Sequence, residues 1–124
     1  MAAGILNLIV EQGSDFIQVL TITDSSDSLI DLTGYTFAGK IRKKYSDSSV
    51  IKSFTFTILD QTTKKGQVKM SLTAAETASI AADNVEDYKR PFTKFIYDVE
   101  MTDTVPTTTR IMEGTIDFSP EVTR

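Results

Sequence analysis

The chain contains no cysteine, no histidine and no tryptophan. Without thiols or imidazoles it cannot build a Cys/His metal site, a Cys-His or Ser-His-Asp nucleophilic pair, a redox dithiol or a disulfide. Most familiar enzyme chemistry leaves with them. The expectation is therefore a protein that is not an enzyme, with no catalytic residues, no metal site and no cofactor. Positive charge is scarce as well, since 13 Lys and Arg stand against 17 Asp and Glu for a formal net charge of -4. Nucleic-acid binders concentrate Lys and Arg until the domain is basic, so no nucleic-acid partner is expected. No stretch approaches the ~20 apolar residues of a transmembrane helix, and no membrane partner is expected.

The opening segment, Met1 to Val10, is apolar, but no Lys or Arg precedes the apolar stretch and Glu11 and Gln12 end it. A signal peptide needs a basic start, a longer apolar core and a small-residue cleavage site. The expectation is a chain made and assembled in a cytoplasm. The segment reads as a first strand, or more sharply as an N-terminal arm (1–10) that adds a strand to a neighbouring subunit.

What is present is 124 residues, 40% of them hydrophobic, enough for one apolar core in a single domain spanning 1–124. Ser and Thr are abundant, β-branched and aromatic residues cluster in short runs, and turn residues separate the runs at even intervals. Asp15 to Thr23 is apolar on both parities and reads as a strand that could be buried on both faces. A short strand is expected at Leu29 to Leu32. Tyr35 to Lys43 alternates, with Phe37, Gly39 and Ile41 facing in. Val50 to Leu59 is the clearest strand, with Phe54, Phe56 and Ile58 on one side. Asp60 to Gly66 then makes a hairpin connection to Gln67–Leu72.

The period changes at Thr73-Ala74-Ala75-Glu76, a capping box that opens about two helical turns. After a loop from Asp83 to Thr93, strands resume at Lys94 to Thr102, with Phe95, Tyr97, Val99 and Met101 inward, and at Thr109 to Phe118. A tail (119–124) leaves the sheet at Pro120. The count is seven or eight strands with one short helix between strands, an all-β two-sheet antiparallel sandwich.

Three clusters carry charge. Asp98 and Glu100 share one strand face with Asp103 nearby, and a solvated face or cross-strand ion pairing is a better reading of them than catalysis or metal binding. Asp24 to Ser28 has oxygen side chains at alternate positions but lacks the glycine and distal Glu of a calcium loop, so it reads as a turn. Lys40, Arg42 and Lys43, with Lys52 on the presumed neighbouring strand, form the one local basic patch. It suits a charged edge or contact with an acidic protein neighbour. Of the tyrosines, Tyr97 lies on the apolar parity and Tyr35 follows a turn glycine, so core roles are expected for both rather than stacking on a sugar.

Several phrases resemble the N-terminal domain of phage baseplate upper proteins and the related small immunoglobulin-like virion proteins of tailed bacteriophages. They are Glu11-Gln12-Gly13-Ser14-Asp15-Phe16, then Ile30-Asp31-Leu32-Thr33-Gly34-Tyr35 followed by Lys40-Ile41-Arg42-Lys43. Gly66 to Leu72 before Thr73 to Thr77, Tyr97-Asp98-Val99-Glu100, and the closing Glu113 to Arg124 complete the series. The resemblance implies an immunoglobulin-like sandwich, with Gly34 at a turn and Tyr97 in the core bonding a backbone partner through its hydroxyl. It further implies a non-enzymatic structural protein of a virion, an attachment or connector module in the tail, baseplate or neck. Other virion structural proteins would be its partners, and it would form a homo-oligomer in the particle. The alternatives are a carbohydrate-binding adhesion module on the virion surface and a capsid decoration protein. The candidate subunit interface comprises Leu6, Leu8, Ile17, Val19, Ile96, Lys40, Arg42, Val122 and Arg124. Ile17, Val19 and Ile96 fall on parities that a lone sandwich leaves exposed.

Overall fold

A computed structural model describes residues 4–46, 49–80 and 93–119. In chain order the described elements are β1 (Gly4–Ile5), β2 (Leu8–Glu11), β3 (Phe16–Thr21), β4 (Thr36–Arg42), β5 (Lys52–Ser53) and β6 (Thr55–Ile58). They continue with β7 (Gln67–Leu72), α1 (Ala74–Ala78), β8 (Thr93–Thr102) and β9 (Thr108–Ser119). Runs rich in Val, Ile, Phe and Thr make the strands because their branched and aromatic side chains pack on a pleated surface. The larger sheet runs β1-β9-β8-β4-β5, with β2 also on β9, and the smaller runs β3-β7-β6. Every pairing is antiparallel except those of β1 and β2, which run parallel to β9. A β3-β7-β6 sheet facing a β9-β8-β4-β5 sheet is the strand order of an immunoglobulin-like sandwich. Here the N-terminal strands sit on the last strand rather than beside β3.

The core lies between the sheets and draws on both. Ile41, Phe95, Tyr97, Val99, Ile116 and Phe118 come from one, and Leu20, Val68, Met70 and Leu72 from the other. Phe54 joins them, with its ring 6.0 Å from Phe16 and 6.0 Å from Tyr97. The inward parities expected for residues 35–43 and 94–102 hold.

Three expectations need correction. The strand at Leu29 to Leu32 is absent, leaving a single bridge between Thr23 and Leu29. The amides that a ladder would use go to other partners. Leu32 N–H donates to Gln61 Oε1 at 2.9 Å, and Thr33 N–H to Asp31 Oδ1 at 3.0 Å. The strand at Val50 to Leu59 is broken in two, because β5 pairs with β4 in one sheet and β6 with β7 in the other. The chain crosses at Phe54, whose N–H donates to Gly39 O at 2.9 Å. A Cβ on Gly39 would lie 2.9 Å from the Phe56 ring and 3.2 Å from the Phe54 ring, so glycine makes room for the crossing. The strand at Asp15 to Thr23 is covered on one face only, leaving Ile17 60% and Val19 43% exposed.

The capping box forms as expected. Thr73 Oγ1 accepts from Glu76 N–H at 3.1 Å, and Glu76 Oε1 accepts from Thr73 N–H at 2.9 Å. The short helix is pinned to the turn before β3. Asp15 Oδ1 accepts from Ala74 N–H at 2.7 Å, and the buried Thr77 hydroxyl accepts from Gly13 N–H at 3.0 Å and donates to Ser14 O at 2.8 Å. The expected loop from Asp83 to Thr93 and the tail (119–124) lie outside the described residues, apart from Thr93, which begins β8, and Ser119, which ends β9.

Candidate interaction surfaces

The N-terminal segment is an integral edge of the larger sheet, with Leu8 opposite Ile116 and Val10 opposite Phe118. Between β1 and β2 it kinks at Leu6 and Asn7. Leu6 N–H donates to Glu113 O at 3.0 Å, Asn7 Oδ1 accepts from Thr115 N–H at 3.2 Å, and the Tyr97 hydroxyl donates to Leu6 O. A Cβ on Gly114 would lie 2.2 Å from Leu6 O, so only glycine lets the kink approach β9. Burial pushes the Tyr97 phenol up to about 12. The tyrosine's expected role, a buried ring with a backbone partner for its hydroxyl, is what the structure shows.

That register redistributes the candidate interface residues. Leu8 points into the core at 5% exposure, which corrects its place in the interface set, whereas Leu6 stays 38% exposed at the kink. Ile5 and Ile9, which are not among the expected interface residues, are exposed at 77% and 62%. Residues 5–10 are apolar throughout apart from Asn7, so composition carries no parity signal, and pairing with β9 decides which side chains face water.

Lys40, Arg42 and Ile96 share the outer face of the larger sheet, where Lys40 lies opposite Asp98 and Arg42 opposite Ile96. They line a half-open groove of about 180 Å³ together with Tyr45 and Asp98. Tyr45 stands 79% exposed at its side. Lys52 does not join this patch, because it lies opposite Ile41 and leaves the sheet from the core-facing side. A charge pointing inward on a two-residue edge strand blunts that edge against further pairing.

The carboxylates on this face are matched by a cation from β9. Arg110 Nε lies 3.4 Å from Asp98 Oδ2, and Arg110 Nη1 donates to Glu113 Oε2 at 3.2 Å. Lys94 pairs with Asp117 at the far end. Asp103 instead closes its loop, with Oδ1 accepting from Val105 N–H at 3.0 Å and Thr107 N–H at 2.7 Å. Exposed pairs of this kind contribute about 0–1 kcal/mol each. Among the described residues no group of three or more His, Cys, Asp or Glu is placed to hold a metal ion.

The other charged and turn motifs resolve as local structure. Asp24 Oδ1 accepts from Ser26 N–H at 2.8 Å and Ser28 N–H at 3.1 Å, closing a turn. Gly34, at φ +83°, sits in a turn closed by Tyr35 N–H donating to Leu32 O at 3.0 Å. Hydrogen bonds from the Thr33 hydroxyl and backbone to Asp31 hold that carboxyl below its ordinary value. Tyr35 packs half-buried against the core.

Ile17 and Val19 lie on the opposite side of the molecule from Lys40, Arg42 and Ile96, on the outer face of the smaller sheet. The expected interface therefore separates into two surfaces. Val122 and Arg124 lie outside the described residues.

Neither a protein-family model nor a curated protein matches the chain. Solved structures similar to it include an adhesin from Streptococcus sanguinis, SrpA carrying an R347E substitution, at 11% identity and a TM-score of 0.49. That match covers 97% of this chain, which spans 56% of the adhesin chain. Murine CRIg is similar at 10% identity and a TM-score of 0.42, over 93% of this chain and 92% of the other.

Proposed function

We propose that the chain is a non-enzymatic structural protein of a bacteriophage virion, an attachment or connector module that works by protein–protein contact in the tail, baseplate or neck. The ordered series of phrases from Glu11 to Arg124 supports the virion setting by resemblance. The observation that carries the contact role is the pair of β-branched residues, Ile17 and Val19, that a well-formed sandwich leaves exposed along an edge strand. Apolar side chains on a strand edge cost little in an assembly and favour association outside one. The groove beside Lys40 and Arg42 offers a second contact, suited to an acidic and partly apolar neighbour.

Mixing the purified protein with disrupted particles of the phage that encodes it tests this reading. Capture into a tail, baseplate or neck complex, read by light scattering and mass spectrometry of the complex, is the expected result. Failure of any virion component to retain the protein overturns it. Tyr45, exposed at the groove beside two cations and a carboxylate, favours carbohydrate binding as a second reading. A glycan array with hits abolished by Tyr45→Ala would move the assignment there, and an array without hits removes it.

A further inference from the structure

We propose that the partner of the β3 edge is a second copy of the chain, pairing β3 to β3 antiparallel about a two-fold axis so that the two smaller sheets become one. This rests on reading the chain as an assembly module and names the neighbour its apolar edge contacts.

The backbone directions are determined by the pairing with β7. Ile22 N–H donates to Gly66 O at 2.7 Å, on the β7 side, and the register places Leu20, Gln18 and Phe16 opposite Val68, Met70 and Leu72. In an antiparallel ladder the groups alternate, so these residues bond to β7 while the N–H and C=O of Ile17, Val19 and Thr21 point away from it. On the far side Leu59 N–H donates to Gln67 O at 3.1 Å, which directs the odd-numbered residues of β7 toward β6 and agrees with that assignment. Among the described residues no strand pairs with the outer edge of β3. The Gln18 side-chain amide reaches back to Val19 O at 3.4 Å, a weak substitute for a strand partner.

The other edges are defended and this one is not. β5 is two residues long and carries Lys52, and the β1–β2 edge is interrupted by its kink. β6 is short, at four residues. β3 is six residues long with no charge, no proline and no bulge, and two of the three residues whose backbone groups point outward, Ile17 and Val19, also project apolar side chains to the outer face. Such an edge is a template for strand addition.

The pattern fits its own copy. In the antiparallel register that places Gln18 on the axis, Ile17 meets Val19 of the second copy and Val19 meets its Ile17. Both pairs exchange their backbone hydrogen bonds and set β-branched side chains against each other on one face. No charged residue within β3 meets another, although the whole chain is acidic at -4. An isologous contact of this type closes at two copies and leaves the larger sheets free for other partners.

The chain lacks cysteine, so one introduced thiol reports the register without interference. Residues facing each other across an antiparallel non-hydrogen-bonded pair have Cα atoms about 4.5 Å apart, within reach of a disulfide. Gln18→Cys is expected to form a disulfide-linked dimer under mild oxidation, and Thr57→Cys on the β6 edge is not. Sedimentation of the unmodified protein from micromolar to millimolar concentration should show a monomer–dimer equilibrium. Val19→Pro and Ile17→Lys should each weaken it by at least about tenfold while leaving the circular dichroism spectrum unchanged. Monomer at every concentration, or a dimer indifferent to both variants and to Gln18→Cys crosslinking, overturns the proposal. Capture by phage particles without self-pairing sinks this inference alone, and self-pairing without capture sinks the virion reading alone.

Discussion

Gln61 uses both ends of its amide. Its Oε1 accepts from Leu32 N–H and Gly66 N–H, each at 2.9 Å, while its Nε2 donates to Leu59 O at 2.8 Å. It thereby holds the β6–β7 hairpin against the corner before β4. Replacing it with alanine strands two backbone donors in part-buried positions, and Gln61→Ala is expected to lower unfolding free energy by about 2–3 kcal/mol in a urea titration. Tyr97 supplies a pH signature. Its phenol ionises near 10.0 when unfolded and near 12 when folded, so the unfolded state loses its proton first. The stability contributed by the neutral phenol is present in full below pH 10 and is lost as pH rises toward 12. Tyr97→Phe should cost about 1 kcal/mol at neutral pH through the lost bond to Leu6 O, and should make the alkaline fall in Tm shallower. Gly34 and Tyr97 were legible in the sequence because turn geometry and parity act locally. Gln61 was not, because its acceptor duty to Leu32 spans 29 positions and a glutamine in a polar loop carries no local mark.

At the scale of elements, a strand that changes sheets keeps its alternation. Phe54, Phe56 and Ile58 stay inward through the crossing, so the sequence from Val50 to Leu59 reads as one uninterrupted strand although its ends belong to different sheets. The break uses the room that Gly39, on another strand, leaves for the Phe54 and Phe56 rings. The start of the helix was legible, because its capping box uses residues three apart. Thr73→Ala should remove about 1 kcal/mol and speed hydrogen exchange at Glu76, whose N–H loses its acceptor. The β1–β2 kink makes a sharper demand. Gly114→Ala drives a Cβ into Leu6 O, and the expected result is a loss of about 1–3 kcal/mol with faster exchange at Leu6 and Thr115, whose amides bond across the kink.

For the whole molecule, two segments far apart in sequence meet in space. Gln12 to Asp15 binds the helix that starts after Thr73, with Gln12 Nε2 donating to Ile80 O at 2.9 Å as well. Those residues pin the chain where it passes from one sheet to the other, which explains why they fall in turns and caps and why they describe a fold more directly than a binding site. The outward parities of Ile17, Val19 and Ile96 were legible in the sequence. Their division between two opposite faces was not, because parity within each strand does not say which sheet the strand joins. The Lys40 and Arg42 surface has its own test. Lys40→Gln combined with Arg42→Gln should change stability by no more than about 0.5 kcal/mol, while capture by phage particles weakens and loses its sensitivity to salt.

The parallel docking of the N-terminal strands on β9 also sets a timetable. Asn7 and Thr115, which bond across the kink, are 108 positions apart. At roughly 5–20 residues per second of synthesis, the early strands wait roughly 5–20 s for the strand that receives them. During that interval Leu8 and Val10, later buried, have no sheet to enter. The larger sheet is completed only as β9 becomes available, and until then the residues of β2 lack the strand that buries them.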